Sequence, residues 1–310
     1  MQKPRVFITR KLALDPREVL GPGIEIDQHD SELAVSREAL LQRTHDAQAL
    51  LPTLADRVDA ELLDAAPRLR VVANHAVGYD NVDVAACSAR GVWVTNTPGV
   101  LTDSTADLTW TLILTLVRRV REGDRMMREG KFAGWAPTML LGRQLRGSTL
   151  GLIGYGRIAQ AVEERAKAFG MNVLHSCRSG GVTLVELLEQ SDIVSIHCPL
   201  TSETRHLIGT KELSRMKRGA QLINTARGPI VDEAQLVAAL ESGHLGGAAL
   251  DVFEEEPRVH KGLIDRDDVV LLPHLGSATV ETRQAMAQIA LSQVELVLSG
   301  RRPEHAVNQV

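Results

Sequence analysis

The stretch TLGLIGYGRIAQ, residues 149–160, decides how the rest of the chain is read. Its first half is an apolar run of strand character, and its second half opens a helix. Between them Gly154, Gly156 and Ala159 stand in the pattern G-x-G-x-x-A. Gly154 permits a tight turn, Gly156 lets a pyrophosphate approach the backbone, and the small Ala159 lets helix pack closely on strand. Exposed amides and the helix dipole would then hold the anion. The continuation RIAQAVEERAKAFG places Ile158, Val162, Ala166 and Phe169 on one face and ends at Gly170, as such a helix should. A glycine turn of this kind can also bind nothing. The flanking strand and helix are what favour a dinucleotide.

The same fingerprint calls for an acid about 20 residues further on, to accept hydrogen bonds from the adenosine ribose. Here the next strand, in NVLHSCRSGG, ends in Ser176, Cys177, Arg178 and Ser179, with no acid. A neutral residue followed by an arginine removes repulsion against a 2′-phosphate and supplies a guanidinium to pair with it. NADPH is therefore expected in preference to NADH. In the competing view Arg178 is a solvated surface charge and the cofactor is NADH.

Working outward, short β-branched runs alternate with helical patterns almost throughout, which predicts an α/β fold with parallel sheets wrapped by helices. One cluster holds RVFIT, ALLPTL, LRVVANHAVG and GVWVTNTPG, closed by Pro98 and Gly99. A second holds STLGLIG, NVLHS, DIVSIHC, AQLINTA, GGAALDVF and VVLLPH, spaced as repeated βαβ units. The tail, TRQAMAQIALSQVELVLSG, is a helix with Met286, Ile289, Val294 and Val297 in apolar rhythm.

Length and composition agree. The 310 residues suffice for two domains. A net charge of −4 and 24% charged residues argue against a nucleic-acid partner. Cys87, Cys177 and Cys198 have no C-x-x-C spacing, which predicts neither disulfides nor structural zinc and suits a cytoplasmic location. The start, MQKPRVFITR, lacks the pattern of a signal peptide. The most apolar segment, Leu108 to Val117, is too short to span a bilayer and reads as a buried helix. No membrane association and no metal are expected.

In open α/β sheets, ligands lie beyond the carboxyl ends of the strands. Charged residues that follow buried strands are Arg227 in QLINTARGP, Asp251 and Glu256 in GGAALDVFEEEP, and His274 in VVLLPHLGS. An arginine grips a carboxylate through two parallel hydrogen bonds. A histidine can protonate a carbonyl oxygen as hydride reaches the carbon, and a glutamate beside it favours the imidazolium form. The set implies reduction of a 2-oxo acid. Taken singly, each has a bland alternative: a sheet-edge arginine, a satisfied core histidine, a solvated acidic run. Their shared position at strand ends favours catalysis. His197 and Cys198, adjacent in SIHCPL, are not spaced for a shared site, so His197 reads as a strand-end residue near cofactor.

The segments NHAVGYDNVD, GVWVTNTPGVLTDSTADL, GLIGYGRIAQ, HCPLTSETRHLI, LINTARGPIVDEAQLVAAL, LDVFEEEP and LPHLGSAT, in this order, resemble the D-isomer-specific 2-hydroxyacid dehydrogenases over essentially the whole chain. Within that family the chain is most similar to the glyoxylate and hydroxypyruvate reductases. The resemblance implies two Rossmann-like or flavodoxin-like parallel-sheet domains with a cleft between them: residues 1–99 plus 284–310 for substrate, and 100–283 for the dinucleotide. It implies that Arg227 binds substrate, His274 is the general acid and Glu256 orients and charges His274. It also implies that the amides of Val77 and Gly78 meet the substrate carboxylate, and that Asp251 lies near the nicotinamide amide. Arg157, Ile158, Pro199, Thr204 and Ala226 would line the cofactor, with Thr105 close by. It further implies a homodimer joined through the larger domain, with Trp135 reaching toward the partner active site.

Two departures stand out. The family usually carries a longer connection, often with a short strand, where this chain has only CRSGGVT, so a more open adenosine edge is expected. The third fingerprint position is Ala159, which the pattern tolerates. A phosphite dehydrogenase, or a reductase of larger sugar-derived 2-oxo acids, would keep the same Arg227, Glu256 and His274. A formate dehydrogenase would carry Gln in place of Glu256. A dinucleotide-sensing corepressor on the same scaffold is the alternative of a different class.

Overall fold

The structure, a computed structural model, describes residues 3–310. The chain divides into two compact units, Met1–Leu101 with Ala278–Val310, and Thr102–Ser277. These switch points differ from the expected 99/100 and 283/284 because Thr102 already opens a helix, and because the final helix begins at Val280, capped by Thr279.

In the first unit the strands are β1 (Arg5–Ile8), β2 (Glu25–Gln28), β3 (Ala49–Leu51), β4 (Val71–Ala73) and β5 (Trp93–Thr95), with helices α1 (Arg37–Thr44), α2 (Ala60–Ala65) and α3 (Val84–Ala89). They form a parallel sheet in the order β2-β1-β3-β4-β5, the flavodoxin-like arrangement. Ser36, Asp59 and Asp83 cap the three helices by accepting from backbone amides. β2 was not foreseen in the sequence. Its alternation of Ile24 and Ile26 with Glu25 and Asp27 was the available signal, weakened because an edge strand carries a short apolar pattern.

Strand periodicity sorts the core into two layers. Phe7, Leu50, Val72 and Val94 face Leu40, Leu62, Leu63 and Cys87. Val6, Ile8, Ala49, Leu51, Val71 and Ala73 face Ala290, Leu291, Val294 and Val297 of the last helix, so the tail docks on the sheet of the first unit.

The second unit runs α4 (Thr102–Val117), α5 (Val120–Arg128), β6 (Thr149–Ile153), α6 (Arg157–Ala168), β7 (Asn172–Cys177), β8 (Gly180–Gly181), α7 (Leu184–Gln190) and β9 (Ile193–Ile196). It continues with α8 (Thr210–Arg215), β10 (Gln221–Asn224), α9 (Glu233–Glu241), β11 (Gly247–Leu250), α10 (Lys261–Ile264) and β12 (Val269–Leu271), and the last helix of the chain is α11 (Val280–Leu298). The sheet order is β12-β11-β10-β9-β6-β7-β8. All neighbours are parallel except β8, which returns antiparallel to β7. Chain order reverses between β6 and β9. This is the topological switch point at which open α/β sheets bind ligands.

The inner strands are buried on both faces, which is why they read as continuous apolar runs. α4 buries Trp110, Leu112, Ile113 and Val117 against Leu150, Leu152 and Val162. Among the described residues no helix is long and apolar enough to cross a membrane. Phe169 departs from its expected core position: it is the residue after the helix proper, 40% exposed, and its ring stacks on Trp110 with centroids 4.6 Å apart.

Candidate active site

The phosphate cradle sits at the switch point. Gly154 has φ +87°, and an added Cβ would come within 2.7 Å of the Cys198 amide and 2.8 Å of the His197 carbonyl carbon. Only glycine tolerates both the left-handed backbone and this approach of the β6 turn to the end of β9. Gly156 is the N-cap of α6 and offers no side-chain cap, while an added Cβ there would meet nothing within 4 Å. The helix N-terminus therefore presents its amides, from Arg157 and Ile158 onward, to open space. That is the surface a pyrophosphate requires, and the residues present fit a dinucleotide. Ala159 is fully buried under the helix, as close packing demands.

The residues expected at the adenosine end lie on β7, β8 and the turn after β9. Arg178 and Ser179 form the tip of the β7–β8 hairpin, registered by Ser176 opposite Gly181 and Cys177 opposite Gly180. Thus a strand is present where the short connection left room for little else, made of two glycines. The Cys177 thiol lies 3.2 Å from the Ser179 hydroxyl. Arg178 is 81% exposed but not solitary: Nη2 meets Glu203 Oε2 at 2.5 Å. In the turn after β9, the Thr204 hydroxyl donates to the Pro199 carbonyl at 2.7 Å. His197 stands at the end of β9 with Nε2 2.9 Å from the Ser195 hydroxyl, and burial holds its pKa down to about 4, so it is neutral.

Arg227, Glu256, His274 and Asp251 are brought together by three loops that follow β10, β11 and β12. Gly228 governs the first meeting. A Cβ there would lie 1.8 Å from the Phe253 carbonyl carbon, so only glycine lets the Arg227 loop press against the loop that carries Glu256. Asn224, at the end of β10, donates to the Arg227 carbonyl at 2.9 Å and accepts from the Ala226 amide at 3.0 Å. Arg227 Nη1 reaches the Ala226 carbonyl at 2.8 Å.

Glu256 uses its oxygens separately. Oε1 accepts from the Phe253 amide at 3.0 Å, and Oε2 lies 3.0 Å from His274 Nδ1. Burial by itself would push the Glu256 carboxyl up. The His274 hydrogen bond and charge, helped by the Phe253 amide and Arg227, outweigh burial and hold it below its ordinary value. Engagement of Nδ1 leaves His274 Nε2 as the nitrogen that can face a ligand.

His274 has φ +55°, a backbone conformation costly for a side-chain-bearing residue. Asp251 holds it there. The His274 amide donates to the Asp251 carbonyl at 2.9 Å, and the carboxylate accepts from Leu275 at 2.6 Å and Gly276 at 2.8 Å. Thr105 completes the clamp with a 3.1 Å hydrogen bond to the Gly276 carbonyl. Asp251 is fully buried, and burial pushes its carboxyl up against the opposing pull of those amides. Both oxygens of Asp251 and the hydroxyl of Thr105 thus serve the loop itself, a task the sequence did not disclose for residues expected beside the cofactor.

In the first unit, the Val77–Gly78 turn follows β4. Asn96 donates to the Val77 carbonyl and buried Asn74 to the Gly78 carbonyl, each at 2.8 Å. Asn81 braces Asn74 and donates to the Thr53 and Asp56 carbonyls. Both carbonyls of the turn are thus taken up by asparagine side chains. This asparagine scaffold was missed in the sequence, although side-chain amides at strand ends, in ANHAVGYDN and VTNTPG, were its signal.

Such a cradle joined to an Arg–Glu–His set defines a class, the dinucleotide-dependent oxidoreductases of the doubly wound α/β type. Comparison with known proteins names the family. Residues 110–276 match the model for the D-isomer specific 2-hydroxyacid dehydrogenase NAD-binding domain. A glyoxylate reductase from Aeropyrum pernix is 47% identical, with 100% of this chain and 97% of that one covered. The TT0316 protein from Thermus thermophilus superposes with a TM-score of 0.93 at 46% identity, covering 98% of this chain and 100% of that one. An NADPH-dependent glyoxylate/hydroxypyruvate reductase from Sinorhizobium meliloti, solved with NADP and malonate, gives 0.85 at 34% identity, covering 99% and 97%. The chain belongs to the D-isomer-specific 2-hydroxyacid dehydrogenase family. It is an oxidoreductase that reduces a 2-oxo acid with a nicotinamide cofactor.

Proposed function

We propose that the protein reduces glyoxylate and hydroxypyruvate to the 2-hydroxy acids, the D form where the product is chiral, with NADPH favoured over NADH. The observation that carries the reading is the 3.0 Å Glu256–His274 pair beside Arg227, at the strand ends of a dinucleotide fold. The 2-oxo acid substrates are those of the relatives from Aeropyrum pernix and Sinorhizobium meliloti, and the NADPH assignment rests on Arg178 at the adenosine edge.

The bound nicotinamide supplies hydride to the carbonyl carbon. Arg227 grips the carboxylate of the 2-oxo acid and fixes its orientation. Val77 and Gly78 offer backbone amides to a carboxylate. His274 gives its Nε2 proton to the carbonyl oxygen as the carbon–oxygen double bond is reduced, and Glu256 keeps that imidazole charged and oriented beforehand. Asp251 and Thr105 hold the His274 loop within reach of the nicotinamide amide. Gly154, Gly156, Arg157 and Ile158 hold the pyrophosphate. Cys177, Arg178, Ser179, Pro199, Thr204 and Ala226 line the remainder of the cofactor.

We further propose a cytoplasmic homodimer joined through the larger unit. Met127, Phe132, Trp135 and Leu141 are exposed apolar side chains on and after α5, with Trp135 81% exposed, and a partner surface would cover them. Initial rates with glyoxylate and hydroxypyruvate, each with NADPH and NADH, test the activity. Turnover of both acids with higher kcat/KM for NADPH is expected. Equal or better rates with NADH refute the cofactor preference, and no turnover of either acid refutes the substrate assignment. Light scattering of Trp135→Asp against the parent chain tests the dimer, and an unchanged mass for the variant refutes the role of Trp135.

A further inference from the structure

We propose that Glu203 moderates the cofactor preference that Arg178 confers, as the resident counter-ion that a 2′-phosphate must displace. The inference deepens the NADPH assignment and rests on it.

β7 and β9 are not neighbours, since β6 lies between them. Arg178 follows β7 and Glu203 follows β9. Parallel neighbours lie about 4.8 Å apart, so the two side chains meet across roughly 10 Å of sheet. Their 2.5 Å ion pair therefore bridges over the carboxyl end of β6, where Gly154 and Gly156 form the phosphate cradle. The adenosine half of a dinucleotide on this cradle reaches its ribose at that bridge.

Glu203 is held in place independently of Arg178. The Thr201 hydroxyl donates to its carboxylate at 3.1 Å, and the same Thr201 oxygen accepts from the Glu203 amide at 3.3 Å. Thr204, the next residue, anchors the turn through Thr201 and Pro199. The carboxylate is thus a negative charge held by its own turn and presented to Arg178.

Two consequences follow from its charge. NADH binds without disturbing the pair, whereas a 2′-phosphate competes with Glu203 for the guanidinium and is repelled by it. Glu203 therefore mutes the advantage that Arg178 confers, and its loss sharpens the preference for the phosphorylated cofactor.

Calorimetric titration with 2′,5′-ADP and with 5′-AMP tests this without catalysis, on the full-length parent chain, Glu203→Gln, Arg178→Ala and the double variant. Both positions are exposed and circular dichroism checks that each variant is folded. In Glu203→Gln, 2′,5′-ADP is expected to bind about fivefold tighter, roughly 1 kcal/mol, with 5′-AMP altered less than about twofold. Most of that gain should vanish in the Arg178→Ala background. Equal gains for both nucleotides overturn the proposal. If Arg178→Ala abolishes a preference for 2′,5′-ADP while Glu203→Gln leaves it unchanged, the NADPH assignment stands and the role of Glu203 falls. A parent chain that binds both nucleotides equally, with Arg178→Ala inert, overturns both.

Discussion

Replacing Glu256 by Gln isolates a charge in the proposed catalytic pair. The substitution is nearly isosteric: the amide oxygen can still accept from His274 Nδ1 or the Phe253 amide, at the 3.0 Å separations now seen. What disappears is the negative charge. The His274 hydrogen bond and charge hold the Glu256 carboxyl below its ordinary value against the opposing effect of burial, so the parent carries this charge at neutral pH and the variant does not. The side chains are 33% and 38% exposed, so solvent screens the pair. A hydrogen-bonded charge pair discounted for that exposure is worth about 1–1.5 kcal/mol, or about tenfold in rate where the transition state uses it fully.

The assay is the profile of kcat/KM for glyoxylate reduction between about pH 5 and pH 10. In Glu256→Gln the rate is expected to fall about tenfold across the neutral range. The difference is expected to persist to the acid end of that range, because the parent Glu256, held below its ordinary value, stays ionised there. A variant as fast as the parent refutes the electrostatic role and leaves Glu256 as a loop brace. A variant faster than the parent refutes the sign of the coupling.

Three further outcomes follow from the structure. His75 is buried, and burial, assisted by the Arg283 charge, lowers its pKa from 6.5 to about 4. It folds neutral, so the stability of the first unit is fully present above pH 6.5 and is lost as pH falls toward 4, by roughly 3 kcal/mol. Urea titrations at several pH values should show a flatter acid slope in His75→Gln, and an unchanged slope rules out this histidine as its source. Gly228→Ala must part the Arg227 loop from Phe253, so kcat/KM should fall by about 100-fold or more, with a lower Tm; retained activity would show that this close approach is dispensable. Asp251→Asn leaves one of the two loop amides without an acceptor and should cost about 1–3 kcal/mol in chemical denaturation, with a fall in kcat. A stable, fully active Asn variant contradicts the clamp on His274.

Much of this protein is written in one dimension. The turn at Gly154 and Gly156, the buried strands before Arg227, Asp251 and His274, and the helix of Leu108–Val117 follow from backbone chemistry and apolar period, which act between near neighbours in the chain. The two parallel sheets follow from the alternation of such segments. Other features depend on which distant segments share space, and only the tertiary structure decides them. β8 exists because two glycines can fold back on β7. Gly228 is required by Phe253, and Asp251 fixes a positive φ at His274 through amides 24 and 25 positions away. Glu203, in a turn that reads as ordinary surface, acquires its partner 25 residues distant because β6 inserts between the strands that carry the pair. Strand order is set by the whole core rather than by any local pattern, and strand order is what turns that acid and that arginine into neighbours.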